Sequence, residues 1–302
     1  MSSTYLRFWG VRGSYAAPFA SHLKVGGNTS CVEIRADDHV LICDAGTGII
    51  PFGYQLMQQK DIRELMVILT HYHWDHVCGL PFFVPAFFPE WKLKFFGPGA
   101  DTAEIEKYFS SQMKAPFFPV GTETWLADIN YISPEKNRIC HGPITIRYNN
   151  VHHPGTTYGY HIEINGKKII YISDNECKFI EKTITKRHSE FNKEEQDLFD
   201  AMMKEEHQAE LQLIEKADIL IHDAQYTPED YEIKHGWGHS CYIDTVNTAI
   251  DAGVKELYLY HHDPNYDDKA MDVINENVQK IINERNSTLK CQIAREGMCI
   301  DL

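Results

Sequence analysis

Short apolar runs bounded by glycine, asparagine and aspartate recur along the chain and alternate with amphipathic stretches. Runs of this length rich in β-branched and aromatic residues predict strands, whereas apolar residues spaced three and four apart predict helices. Strands are predicted over 5–8, 30–34, 40–43, 65–70, 144–151, 157–164, 168–172, 219–222, 256–260 and 290–294. Helices are predicted over 48–60, 243–252 and 269–286. This mixture predicts an α/β protein.

A charged stretch over residues 178–217 departs from this pattern. Phe199, Met202 and Met203 would form an apolar stripe on a helix there. We interpret the stretch as a helical insertion that covers the sheet, with a lid or subunit contact as the alternative. Glycine and proline mark turns rather than a linker, and no internal repeat is visible. The sequence therefore predicts one domain over residues 1–302 that carries this insertion.

The composition is that of a folded globular protein, with 43% hydrophobic and 24% charged residues among 302. The apolar runs are shorter than the roughly 18 residues that a membrane-spanning helix needs. Residues 1–7 lack the basic and apolar regions of a secretory signal. Eight cysteines without a CxxC pair fit a reducing compartment. We therefore expect a cytoplasmic protein without a membrane partner.

The formal net charge of −14 bears on the partners of this protein. Such a charge repels a phosphate backbone at long range, so binding of extended nucleic acid is not expected. A small anionic ligand can still bind at a local positive site.

The candidate chemistry is concentrated in the segment HYHWDH, residues 71–76, directly after an apolar strand. A strand that stops and turns there allows His71, His73, Asp75 and His76 to converge, which an uninterrupted strand or helix would prevent. Imidazoles and a carboxylate packed so closely are typical ligands of a divalent metal ion. The segment therefore predicts a metal site.

This segment matches the HxHxDH motif, and the chain resembles the metallo-β-lactamase superfamily. The resemblance continues with a histidine before Pro-Gly, an aspartate that ends a strand and a late histidine after another strand. It implies a four-layer αβ/βα sandwich with two divalent metal ions at the sheet edges. The implied metal ligands are His71, His73, Asp75, His76, His153, Asp174 and His261.

Within this set, the resemblance implies one ion held by three histidines, His71, His73 and His153, and a second held by Asp75, His76 and His261, with Asp174 bridging both. Two ligands have a neighbouring histidine as an alternative, His152 beside His153 and His262 beside His261. The ligand types favour zinc, with manganese or iron as alternatives.

Two further motifs resemble the branch that contains ribonuclease Z and cyclic-nucleotide phosphodiesterases. Asp223 ends a predicted strand where ribonuclease Z has glutamate, and His239 lies in the sequence GWGHS, residues 236–240. In that branch the histidine acts on the scissile phosphate and the acid orients it. The resemblance implies His239, Asp223 and Asp75 as catalytic residues, the last chiefly as a ligand.

The predicted function is hydrolysis of a small phosphodiester such as a cyclic nucleotide by metal-activated water. The alternatives are a tRNA-processing endoribonuclease, a lactonase or thioesterase, and a non-catalytic metal-binding sensor. The negative charge disfavours tRNA, and a lactonase or thioesterase has no need of the Asp223–His239 pair. A homodimer is expected only by analogy with ribonuclease Z.

Two other segments have competing interpretations. Residues 8–14 are interpreted as turn and core, with phosphate binding by Arg12 as the alternative. The aromatic and proline-rich stretch 81–96, together with 116–119, is interpreted as packing under a long loop, with a wall for base stacking as the alternative.

Overall fold

Two seven-stranded sheets form the centre of the computed structural model, which describes residues 4–134 and 138–302. Residues 1–3, part of the N-terminus analysed above, lie outside the described residues. The first sheet contains β1 (Thr4–Gly10), β2 (Cys31–Ala36), β3 (His39–Cys43), β4 (Glu64–Ile68), β5 (Lys92–Phe96), β6 (Asp128–Tyr131) and β14 (Cys299–Asp301). The second contains β7 (Ile139–His141), β8 (Ile144–Asn150), β9 (Tyr158–Ile164), β10 (Lys167–Ile172), β11 (Ile219–Asp223), β12 (Glu256–Tyr260) and β13 (Lys290–Ile293).

Each sheet is antiparallel on one side and parallel on the other. The first has the order β14-β1-β2-β3-β4-β5-β6, with β3 to β6 parallel. The second has the order β13-β12-β11-β10-β9-β8-β7, with β10 to β13 parallel. The carboxyl ends of parallel strands meet at one edge of a sheet, so the loops after β3, β4, β10, β11 and β12 are the natural position for a site.

The helices have the following bounds: α1 (Ile49–Met57), α2 (Trp74–Val77), α3 (Thr102–Ser111), α4 (Phe179–Ile184), α5 (Lys193–Ile214), α6 (Pro228–Lys234), α7 (Tyr242–Asp251) and α8 (Asp268–Glu284). Short 3-10 helices cover Ala20–His22, Leu80–Phe82, Val84–Phe87, Thr122–Thr124 and Thr185–Glu190. Within the described ranges, no helix combines the length and the apolar character needed to cross a membrane.

The alternation of side chains along β3 shows how the layers form. Val40 and Ile42 pack with α1 and α3 on one face, whereas Leu41 and Cys43 pack against the second sheet. Successive side chains of a strand point to opposite faces, so a strand that is apolar throughout is buried on both. Helices α7 and α8 cover the far face of the second sheet. The result is the predicted four-layer sandwich of helices, sheet, sheet and helices.

Every predicted strand and helix is present, with its ends shifted by a few residues. The prediction missed β6, β7 and β14, because edge strands of three or four residues are too short to show a period. It also missed α3, although Ile105 and Phe109 are buried at helical spacing there. In the stretch 81–96, buried Phe83 and Trp91 agree with packing, but the stretch ends in β5 rather than in a loop.

The charged stretch 178–217 is helical, as predicted. It forms α4, a 3-10 helix over Thr185–Glu190, and α5, whose N-terminus has a capping box between Asn192 and Glu195. Among the described side chains of α5, only Ile214 is buried. Helix α5 therefore lies on the outside of the second sheet and contacts α4 and α7.

Candidate metal and catalytic site

The segment after β4 turns twice within a few residues, which brings its polar side chains together. Beyond the end of β4, Thr70 donates its backbone N–H to Oδ1 of Asp44 at 2.8 Å. His73 then occupies the N-cap position of the single turn of α2, in which Asp75 and His76 are buried. The predicted convergence of this segment is therefore present.

Two groups of side chains lie side by side at the carboxyl ends of the strands. Potential ligand atoms of His71, His73 and His153 lie within 4.8 Å of one another, and the same holds for Asp75, His76 and His261. These are the two predicted sets.

Asp174 lies between the two groups. Its Oδ1 is 3.1 Å from Nε2 of His76 and its Oδ2 is 3.5 Å from Nε2 of His261. The same Oδ2 is 3.8 Å from Nε2 of both His71 and His153. Asp174 therefore occupies the position expected of a bridging ligand.

The structure separates the members of each histidine pair. His153 points into the cluster with Nε2 at 3.0 Å from Nδ1 of His73, whereas His152 stacks on Phe179. His261 joins the cluster in a left-handed backbone conformation, φ 58°. His262 instead donates Nε2–H to the carbonyl of Ala294 at 3.0 Å. Within these two pairs of neighbouring histidines, His153 and His261 are therefore the members that are placed to hold a metal.

The hydrogen bonds around two histidines test whether the cluster fits a cation. His76 donates Nδ1–H to Asp44 at 2.9 Å, and His261 donates Nδ1–H to Oε1 of Gln225 at 2.8 Å. When both rings are neutral, each Nε2 carries a lone pair, and these two atoms lie 3.2 Å apart. Facing lone pairs repel unless a positive charge lies between them. This donor set fits a metal ion whose ligands are oriented by outer hydrogen bonds.

The buried carboxylates of the cluster also indicate that it fits a cation. Asp44, Asp75, Asp174 and Asp223 are all buried, and among the described residues only histidines form ion pairs with them. Burial lowers the pKa of His76, but Asp174, Asp75 and Asp44 outweigh it and hold this pKa well above its usual value. Buried carboxylates require compensating charge, which divalent cations would supply.

The three histidines of the first predicted ligand set are kept in the form that binds metals. Burial lowers the pKa values of His71, His73 and His153, so their neutral imidazoles are favoured at neutral pH. The buried Nε2 of His71 has no hydrogen-bond partner in the part of the chain that the structure describes. Neutral imidazole is the state that a metal requires, and an unpaired buried nitrogen is available for one.

The predicted Asp223–His239 pair lies against this cluster. His239 donates Nδ1–H to Oδ2 of Asp223 at 2.7 Å, and the same ring nitrogen lies 3.7 Å from Asp174. Oδ1 of Asp223 accepts backbone N–H groups from Gln225 and Ser240 at 3.0 and 3.1 Å. The carboxylate is thus fixed from two sides, and it fixes the orientation of the histidine ring.

Three site residues were not identified from the sequence. Asp44 orients His76 and also accepts a hydrogen bond from Tyr171, and Gln225 orients His261. The buried carboxylate of Glu176 accepts the backbone N–H groups of Gly236 and Gly238, each at 2.9 Å. Asp44 and Gln225 follow or end strands close to the predicted ligands, which is the one signal that could have identified them.

Arg12 does not bind a phosphate. Its side chain is fully buried, and it donates to the carbonyls of Gly26 at 2.7 Å, Asp263 at 3.2 Å and Tyr266 at 2.8 Å. The interpretation of residues 8–14 as turn and core is therefore correct, and the alternative of phosphate binding is wrong.

Replacing Arg12 with alanine is expected to lower the free energy of unfolding by about 3 kcal/mol, because three carbonyl groups, two of them in buried hydrogen bonds, lose a charged donor. Urea denaturation measures this loss. Arg147→Ala is the control, since its exposed ion pair with Glu163 contributes under about 1 kcal/mol. Equal effects of the two substitutions would contradict the structural role of Arg12.

Gly238 provides a test of ligand positioning. A Cβ atom there would overlap Pro154 and the ring of His153, whereas a Cβ at Gly236, whose φ is similar, would meet nothing within 4 Å. Both alanine variants carry the cost of a left-handed residue, roughly 1–2 kcal/mol. Gly238→Ala alone is expected to weaken metal binding by about 10- to 100-fold. Isothermal titration with zinc measures the difference, and equal affinities in the two variants would exclude steric displacement of His153.

The comparisons with known proteins place this chain in a family. Two facing mixed sheets with a histidine–aspartate cluster at their edge define a class of metal-dependent hydrolases. The model of the metallo-beta-lactamase superfamily matches residues 25–207, and the chain belongs to this superfamily. The predicted resemblance and fold are thus confirmed.

Individual relatives agree with this assignment. The chain is 23% identical over 297 residues to a ribonuclease Z of Picrophilus torridus, with 89% of each protein covered. A local match to a ribonuclease Z of Brevibacillus brevis is 43% identical over 65 residues but spans only 20% of that protein. The solved structure of YhfI from Bacillus subtilis, a metallo-beta-lactamase fold protein, covers 100% of both chains with a TM-score of 0.66 at 18% identity. This last likeness shows the fold alone.

Proposed function

We propose that this chain is a dinuclear metal-dependent phosphodiesterase that acts on a small phosphodiester such as a cyclic nucleotide. The observation that supports this proposal is the hydrogen bond of 2.7 Å between His239 and Asp223 beside the cluster. Hydrolysis of a thioester releases a thiolate, which leaves without a proton and has no need of such a pair. The departing alkoxide of a phosphodiester does need a proton, which this pair can deliver.

The metals of this proposal would be zinc ions. His71, His73 and His153 would hold one, and Asp75, His76 and His261 would hold the other, with Asp174 between them. Mixed imidazole and carboxylate ligands suit zinc, with manganese and iron as alternatives. When bound, two such ions activate water and neutralise the charge of a phosphoryl group.

The protein's own residues would then control the leaving group. Since Nδ1 of His239 is bonded to Asp223, only Nε2 is available to deliver a proton to the departing oxygen. The carboxylate of Asp223 would stabilise the imidazolium form that delivers it, against burial, which lowers the pKa of His239, and would restrain rotation of the ring. Asp75, whose Oδ2 accepts the backbone N–H of Ser14 at 2.7 Å, would serve chiefly as a metal ligand and would help to orient the attacking water.

A second candidate is an endoribonuclease that acts on tRNA precursors. It is favoured by the relatives named ribonuclease Z, whose substrate linkage is also a phosphodiester. The net charge of −14 opposes it, since binding to RNA relies on cationic side chains that neutralise phosphates.

The deciding experiment measures metal content and hydrolysis on one preparation. We expect about two metal ions per chain and turnover of bis(p-nitrophenyl) phosphate and of cyclic nucleotides. Cleavage of a tRNA precursor without turnover of cyclic nucleotides would support the second candidate. Turnover of only lactones or thioesters, or of no substrate despite bound metal, would overturn the phosphodiesterase proposal.

A further inference from the structure

Two exposed tryptophans, Trp74 and Trp237, each lie next in sequence to a residue that contacts His153. Trp74 follows His73, whose Nδ1 lies 3.0 Å from Nε2 of His153. Trp237 precedes Gly238, whose carbonyl accepts Nδ1–H of the same histidine at 2.8 Å. Each tryptophan is therefore next in the chain to a residue that contacts His153, a candidate metal ligand.

The indole rings of these two residues have no partner among the described residues, although their backbones are fixed. Trp74 and Trp237 are 70% and 62% exposed, and neither indole forms a hydrogen bond or ring contact with any described residue. The other tryptophans, Trp9, Trp91 and Trp125, are at most 8% exposed. Large indole surfaces next to a polar cluster are thus left in water, where an apolar ligand would cover them.

The backbone around Trp237 is held in a way that directs its side chain outwards. The flanking glycines have φ values of +85° and +87°, and both donate their N–H groups to the buried carboxylate of Glu176. Trp74 is likewise fixed, since it is the first residue of α2 and its carbonyl accepts the N–H of Cys78 at 2.8 Å. Neither residue needs a backbone rearrangement before it contacts a ligand, which lowers the entropic cost of binding.

We infer that Trp74 and Trp237 form a binding site for a nucleobase, so that the substrate of the neighbouring metal cluster is a nucleotide diester. This inference rests on the proposed function and extends it, because the cluster takes the phosphate while the indoles stack on the base. Stacking on an aromatic side chain contributes about 1–3 kcal/mol per base whatever the identity of that base. The two tryptophans therefore select for the presence of a base rather than for its sequence.

The test uses tryptophan fluorescence of the metal-loaded protein, because the three other tryptophans are buried. Adenosine 5′-monophosphate is expected to quench the emission with saturation, whereas ribose 5-phosphate, which lacks the base, is expected to bind on the order of tenfold more weakly without quenching. Trp74→Ala and Trp237→Ala should each weaken nucleotide binding by about fivefold or more, and the phenylalanine variants should retain most of it. Tyr54→Ala, 60% exposed on α1, is the matched control and should bind as the unchanged protein does.

The outcomes separate this inference from the proposed function. Equal affinities for the two ligands, or an unchanged affinity in the Trp74→Ala/Trp237→Ala double variant, would overturn the base site. A double variant that loses a dimer but still binds nucleotide would overturn it as well, since the indoles would then cover a second copy of the chain. Hydrolysis of bis(p-nitrophenyl) phosphate and metal content, measured on the same samples, decide the phosphodiesterase proposal independently.

Discussion

Replacing His239 with alanine is expected to leave both metal ions bound and to lower kcat for a phosphodiester by about 10²- to 10⁴-fold. The reason is positional, since the ring lies beside Asp174 but is hydrogen-bonded to Asp223 and belongs to neither predicted ligand set. Its loss removes the proton for the departing oxygen and leaves the ligands in place. Metal analysis and steady-state kinetics on a cyclic nucleotide, whose leaving group is an alkoxide, measure the two quantities.

The leaving group gives this prediction a second readout. A p-nitrophenolate leaves with little need for a proton, whereas an alkyl alkoxide leaves poorly without one. The loss in His239→Ala should therefore be larger for a cyclic nucleotide than for the nitrophenyl ester. Asp223→Asn, which keeps the shape but weakens the orientation of His239, should show the same trend to a smaller extent. Loss of metal from His239→Ala would show instead that this residue is a ligand.

Replacing Asp174 with asparagine is expected to reduce the metal content below about two ions per chain and to abolish turnover. Its two carboxylate oxygens lie 3.1 to 3.8 Å from the Nε2 atoms of His76, His261, His71 and His153. An amide of the same size carries no charge and offers one oxygen. The negative charge that would compensate two metal ions between the two ligand sets is therefore lost.

Asp218→Asn is the matched control for this substitution. Asp218 precedes β11, at the opposite end of the strand from Asp223, and forms an ion pair with Lys255. This variant should keep its metal and its activity. If Asp174→Asn retained a full complement of metal with normal turnover, Asp174 would not bridge the ions.

A site residue can be predicted from the sequence more readily when the other residues of the site lie close to it along the chain. The segment 71–76 carries four candidate ligands within six residues, so the convergence needed only a strand that ends before it. The contributions of His153, Asp174 and His261 come from loops far apart in the chain. They were placed by resemblance to a family, because no local period links them.

Other features depended on contacts that no local pattern specifies. His153 rather than His152 is the candidate ligand because its ring faces the cluster. The ring of His152 stacks on Phe179 instead. The orienting residues Asp44, Gln225 and Glu176 are polar groups of ordinary type, and their roles become visible only through distances of 2.8 to 2.9 Å to their partners. For Arg12, the sequence allowed phosphate binding as an alternative, and only the structure showed that its side chain is buried and cannot reach a phosphate.

The sequence by itself determined the α/β class, the strands with clear apolar periods and the segment that begins the candidate metal site. These depend on periodicity and spacing between neighbouring residues, which the order of amino acids contains directly. Only the tertiary structure decided how the two sheets face each other, which histidine of each pair joins the cluster, and that the chain neighbours of Trp74 and Trp237 both contact His153. Such contacts join residues that are 80 or more positions apart, and packing of the whole chain rather than local preference brings them together.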